Sequence, residues 1–146
     1  MVKIPKAFAI LLVIFVIAIT LRTLAAAHFD PNPDEMAYVV HSLNIISAER
    51  LSTILQSPLF SYLTDIGYRW FGFNVITTRL PSIIFGSFSV FLIFLIAKEL
   101  FNNTSAALLS AFLFTVSRYA VLNNLEPDPT AFFFLLLSLY FYIRFL

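Results

Sequence analysis

Four apolar runs and one long polar interval organise the chain. Residues 7–27, 80–97, 105–122 and 130–146 each carry at most one charged residue, and each approaches the roughly 20 residues that a helix needs to cross a bilayer. The first run would extend about 30 Å as a helix at about 1.5 Å per residue. It also exceeds the roughly 7 to 15 apolar residues of a secretory leader, so it reads as a membrane span. The interval 28–78 contains two stretches of helical periodicity. From Asp34 to Arg50, the apolar residues Met36, Val39, Val40, Leu43 and Ile46 fall on one face, and Asp34, Tyr38 and His41 share another. Asn32, Pro33 and Glu35 have the order of an N-cap, a first-turn proline and a capping-box acid. The second stretch opens at Ser57-Pro58 and carries the apolar stripe Leu59, Leu63, Ile66 and Trp70. Asp65 and Arg69 are placed i,i+4 on the wet side, and Gly72 is positioned to end the helix. Arg79-Leu80-Pro81-Ser82 opens the second span with its proline in the first turn, where no helical hydrogen bond is lost. The predicted fold class is all-α integral membrane: four transmembrane helices, with two amphipathic juxtamembrane helices in the first outer loop.

Composition agrees with the pattern. Hydrophobic residues make up 60% of the chain and charged residues 12%, and the mean hydropathy is +0.92; ordinary soluble domains are about 25% charged. Lys3 and Lys6 place the N-terminus in the cytoplasm, so residue 28 lies on the outer side. Lys98 to Thr104 is then an inner turn and Asn123 to Pro129 an outer one. The overlapping sequons at Asn102 and Asn103 fall on the inner side and read as turn residues. A net charge of +1 without a basic cluster excludes nucleic acid as a partner. The absence of cysteine excludes disulfides, thiolate metal sites and cysteine nucleophiles. No His/Asp/Glu group has metal-ligand spacing, so no metal site is assigned and the cofactor is unknown. The spans lack the mid-membrane polar residues and broken helices of a transporter. The chain closes on an apolar run, which reads as the N-terminal part of something longer or one piece of a split protein.

The charged residues that remain are few and cluster toward the outer side. Asp34 and Glu35 are adjacent acids at a helix start, Glu126 and Asp128 lie in the outer turn, and Arg22, Arg79 and Arg118 sit near outer span ends. Each has a purely structural reading. Acids in a first turn suit the helix dipole, Asp128 before Pro129 is a natural N-cap, and Arg22 and Arg118 are close enough to the interface to snorkel.

Taken in order, several of these segments resemble a known family. They are Pro33-Asp34-Glu35-Met36-Ala37-Tyr38, Ser57-Pro58-Leu59-Phe60-Ser61-Tyr62-Leu63 closing at Trp70-Phe71-Gly72, Thr78-Arg79-Leu80-Pro81-Ser82, and Glu126-Pro127-Asp128-Pro129 leading into Ala131-Phe132-Phe133. The series resembles the start of GT-C membrane glycosyltransferases of the protein mannosyltransferase and aminoarabinose transferase type, which use sugars linked to polyprenyl phosphate. It implies that residues 1–146 are the N-terminal transmembrane part of such an enzyme. The family places a catalytic acid at the start of the juxtamembrane helix, which corresponds to Asp34 with Glu35 second, and often another in the outer turn, which corresponds to Asp128. Arg79, Arg118 and Arg22 become candidates for the donor phosphate, and Tyr38 and His41 for a sugar or acceptor pocket. Gln56-Ser57 departs from the family's pattern of His-Pro or Pro at that edge. The implied partners are a lipid-linked sugar donor, a protein, lipid or glycan acceptor, membrane lipids and a second chain supplying further spans. Some relatives use a divalent metal and others do not. The implied setting is a prokaryotic cell membrane, with the endoplasmic reticulum membrane as the other location. A non-catalytic membrane subunit or scaffold derived from such an enzyme is the alternative function.

Overall fold

The computed structural model describes residues 5–30, 35–36, 39–40, 42, 58–122 and 128–146. Helix α1, Lys6–His28, follows Pro5 and stops where Phe29 turns extended; the Phe29 N–H donates to Ala25 O at 3.1 Å. Its buried residues, Leu11, Ile14, Ala18, Arg22, Ala25 and Ala26, recur at helical spacing and form one packed stripe. The outward residues Val13, Val16 and Leu24 are apolar too, as a helix surrounded by lipid requires.

Helix α2, Pro58–Phe71, starts at the expected proline. It ends at Gly72, whose φ of +77° suits glycine and whose N–H donates to Tyr68 O at 3.0 Å. Its polarity is the reverse of a soluble helix. Phe60, Ser61, Thr64, Asp65 and Tyr68 are buried, while Leu59, Tyr62, Ile66 and Trp70 point outward. Asp65, expected on the wet side, is therefore turned inward. The outward face of α2 is the apolar one, and the acid is held by the exposed Arg69 at 3.0 Å. Gly67 lets α2 approach the next helix, since a Cβ there would meet Thr77 Cγ2 at 3.1 Å.

Helix α3, Val75–Phe101, begins before the apolar run at 80 that was expected to open it. Asn74 is its N-cap, accepting the Thr77 N–H at 2.8 Å. Pro81 consequently lies inside the helix rather than in its first turn. Helix α3 is the hub, packing against α1, α2 and two later helices. Buried Ser82, Gly86, Ser87 and Ser89 let these neighbours come close.

The turn after α3 follows its asparagines. Asn102 takes φ 47°, and Asn103 Oδ1 accepts the N–H groups of Ser105 at 2.9 Å and Ala106 at 3.2 Å. The run 105–122, read as a single span, is two helices: α4, Thr104–Val116, and α5, Arg118–Leu122. Ser117 makes the break. Its backbone is extended, and its Oγ accepts the Ala120 N–H at 3.2 Å, capping α5. Helix α6, Asp128–Phe145, packs on α3 through Leu92, Ile96 and Leu136. A second core joins α1, α3 and α4 around Ile14, Ala18, Val90, Phe94 and Ala111.

Among the described residues, α1, α3 and α6 are long and apolar enough to cross a membrane, and α4 is a shorter apolar helix. The protein is an all-α integral membrane protein. Glu99 and Arg144 approach to 4.0 Å, so α3 and α6 finish at the same end of the bundle.

Candidate functional site

Two buried arginines dominate the charge-poor interior. Arg79 lies near the start of α3 and is 1% exposed. Its Nε donates to Glu35 Oε1 and its Nη2 to Glu35 Oε2, both at 2.8 Å, the two-pronged arrangement that suits a guanidinium and a carboxylate. Its Nη1 donates to Phe29 O at 2.9 Å and also to Ala26 O. Those carbonyls belong to the C-terminal end of α1, where helical partners run out and the helix dipole is negative. One side chain thus ties together the end of α1, the start of α3 and the stretch that carries Glu35. Glu35 is itself 3% exposed, so neither charge is left for water to screen.

A cavity of about 250 Å³ lies beside this pair, lined by Glu35, Val39, Phe73, Asn74 and Thr78 among others. Another, of about 490 Å³, is lined by His28, Phe29 and Asp30 and shares Asn74 and Val75 with the first. On the far side of Thr78, its Oγ1 donates to Asn74 O at 3.0 Å and lies 2.9 Å from the Tyr68 hydroxyl. Burial pushes the Tyr68 hydroxyl above the ordinary tyrosine range, and its hydrogen bond with the Thr78 hydroxyl partly offsets this.

Arg22 is placed differently. It is 0% exposed, and its Nη1 donates to Ala18 O at 3.3 Å. Among the described residues, its Nε and Nη2 have no hydrogen-bond partner. The Phe114 ring lies 5.4 Å from the guanidinium carbon. Arg22, Phe114, Tyr119, Asp128, Phe132 and Leu135 line a cavity of about 300 Å³ between α1, α3, α4, α5 and α6.

The fold therefore brings Glu35 to Arg79, and Arg22 to the cavity of Asp128. Arg118 is exposed on α5 and lines neither place. Asp34, Tyr38 and His41 lie outside the described residues. The carbonyls of Ala26 and Phe29 and the rings of Phe114 and Phe132 were not legible as site components. Glu35 and Arg79 are 44 residues apart, and the only sign of their pairing is that both are charged in a chain with few charges.

The model of the dolichyl-phosphate-mannose-protein mannosyltransferase family matches residues 55–146. The chain belongs to this family. The matched part contains α2 to α6 and so includes Arg79, Arg118 and Asp128; Asp34, Glu35 and Arg22 precede it. No curated protein and no solved structure matches the chain. Membership makes it a mannosyltransferase-like glycosyltransferase at family level, and its apolar helices set that chemistry in a membrane.

Proposed function

We propose that the chain takes part in moving a sugar from a polyprenyl-phosphate donor to an acceptor hydroxyl on the outer face of the membrane. The observation that carries this reading is the buried Glu35–Arg79 pair. It anchors the residue next to Asp34 against the end of α1, at the rim of two adjoining cavities. An acid held at the head of the juxtamembrane stretch is suited to general-base work. In this reading Asp34 takes the acceptor proton as the acceptor oxygen bonds to the sugar's anomeric carbon. The bond from that carbon to the phosphate oxygen breaks, and the lipid phosphate leaves with the electron pair. A single direct displacement inverts the anomeric centre. Glu35 is held by Arg79, and Tyr38 and His41 remain the candidates for the acceptor pocket.

The test is transfer of labelled sugar from a polyprenyl-phosphate donor by membranes containing the chain, alone and with any chain that completes it. Asp34→Asn is expected to abolish transfer while insertion is unchanged. Transfer that survives this substitution rejects Asp34 as the base. No transfer with any common donor sugar, in a correctly inserted protein, would favour the scaffold reading.

A further inference from the structure

The two buried arginines use, or leave unused, the same edge of the guanidinium. Arg79 gives its Nε and Nη2 to the two oxygens of Glu35. In Arg22 it is again Nε and Nη2 that have no hydrogen-bond partner among the described residues. The edge left over is thus the one whose geometry matches a carboxylate. Among the described residues that line the Arg22 cavity, Asp128 is the only other charged one. Neither takes part in an ion pair among the described residues. Opposite charges therefore face one largely apolar space of about 300 Å³ without meeting. Phe114 lies 5.4 Å from the guanidinium carbon and stacks on Phe132 of α6, with ring centroids 5.8 Å apart. The start of α6 is also incompletely satisfied: Thr130, two residues after Asp128, is buried and its Oγ1 has no partner among the described residues. On the other wall, Phe114 belongs to the last turn of α4, because the backbone leaves the helix at Ser117.

We propose that Arg22 and Asp128 are the two halves of a latch, and that the structure holds it open. In the closed state the Nε–Nη2 edge of Arg22 takes both carboxylate oxygens of Asp128. Phe114 turns off the guanidinium, and the start of α6 moves onto α1 and fills the cavity. Closing gives a buried cation its counter-ion and removes an apolar void. Opening returns Asp128 to solvent, where its carboxylate is exposed. The cost of desolvating the carboxylate opposes the attraction between the charges, which keeps the two states close enough in free energy for both to be populated. The latch thereby gates the cavity between α1, α4 and α6. No step of the transfer proposed above uses this pair, so the two readings stand or fall separately.

Heteronuclear NMR of the chain in detergent, following the arginine Nε–H signals, tests this directly. The Arg22 signal is identified by its absence in Arg22→Lys, and that of Arg79, already paired with a carboxylate, serves as the reference. The Arg22 Nε–H is expected to exchange between two shifts on the μs–ms scale, one of them close to that of Arg79. Asp128→Asn is expected to abolish the paired shift, and Asp128→Glu to keep it. Ala131→Leu, which adds bulk to the cavity wall and leaves both charges in place, is expected to lower its population. A single Nε–H shift that is the same in wild type and in Asp128→Asn overturns the proposal. A paired shift that survives Asp128→Asn also overturns it, because another acceptor then holds Arg22. An undiminished paired population in Ala131→Leu does so as well, since pairing would then not close the cavity.

Discussion

Arg79 and Arg22 are both removed from water, yet their surroundings are opposite. At Arg79 the fork of donors is filled by Glu35 and by the carbonyls that end α1. At Arg22 two nitrogens are left open under an aromatic ring. Charge and burial do not separate them; the number of acceptors that the fold delivers does. At Arg79 every guanidinium nitrogen is paired and backbone segments are tied together, whereas at Arg22 two nitrogens lack a partner among the described residues.

The comparison is tested most severely at Glu35. Removing the carboxylate by Glu35→Ala leaves Arg79 buried without a counter-ion, and about 3–5 kcal/mol of stability is expected to go. Thermal unfolding in detergent measures this. A loss below about 1 kcal/mol would mean that Arg79 is readily satisfied elsewhere, and the contrast with Arg22 would fail. Arg22→Leu is expected to have the opposite sign in lipid-free detergent, neutral or stabilising by about 1–4 kcal/mol, because an apolar side chain replaces an unsatisfied charge. Arg79→Leu, by contrast, removes the two-pronged partner of the Glu35 carboxylate and should destabilise. Equal losses in the two leucine variants would erase the distinction.

A smaller effect is expected at the N-cap that positions Arg79. Asn74→Ala removes the acceptor of the Thr77 N–H and should cost about 1 kcal/mol. Hydrogen exchange localised to the first turn of α3 would report the fraying. The smallest effect concerns Tyr68. Because its folded-state pKa is raised, its contribution to stability is present below about pH 10 and is lost as pH climbs through the folded value. Thr78→Val removes the group that stabilises the phenolate, so Tyr68 should titrate at still higher pH. Alkaline absorbance titration, taken as the difference from Tyr68→Phe, checks the direction.

Local chemistry made much of the fold legible. Pro58 and Gly72 bound α2 as expected because a proline suits a helix start and a glycine tolerates positive φ, whatever surrounds them. Asn102 and Asn103 form the turn for similar reasons. The start of α3 was misjudged because the apolar run marks where membrane begins, not where helix begins; Asn74 caps the helix in the polar segment before it. The break at Ser117 was hidden because the hydrophobic pattern continues across it, and a serine cap needs only one oxygen. Burial of Asp65 was missed because the outward face of α2 is apolar, which reverses the rule that carboxylates face out.

By itself the sequence determined that this is a helical membrane protein, where most of its helices lie, and which few charges were available to a site. Those properties follow from hydropathy and backbone preference, which act over neighbouring residues. Only the tertiary structure decided that Arg79 is paired while Arg22 has no ion pair among the described residues. Pairing requires that acceptors distant in sequence converge within about 3 Å with the right orientation, and that depends on how α1 and α3 pack. Two arginines alike in the sequence therefore became a paired brace and a buried guanidinium with two nitrogens lacking partners among the described residues.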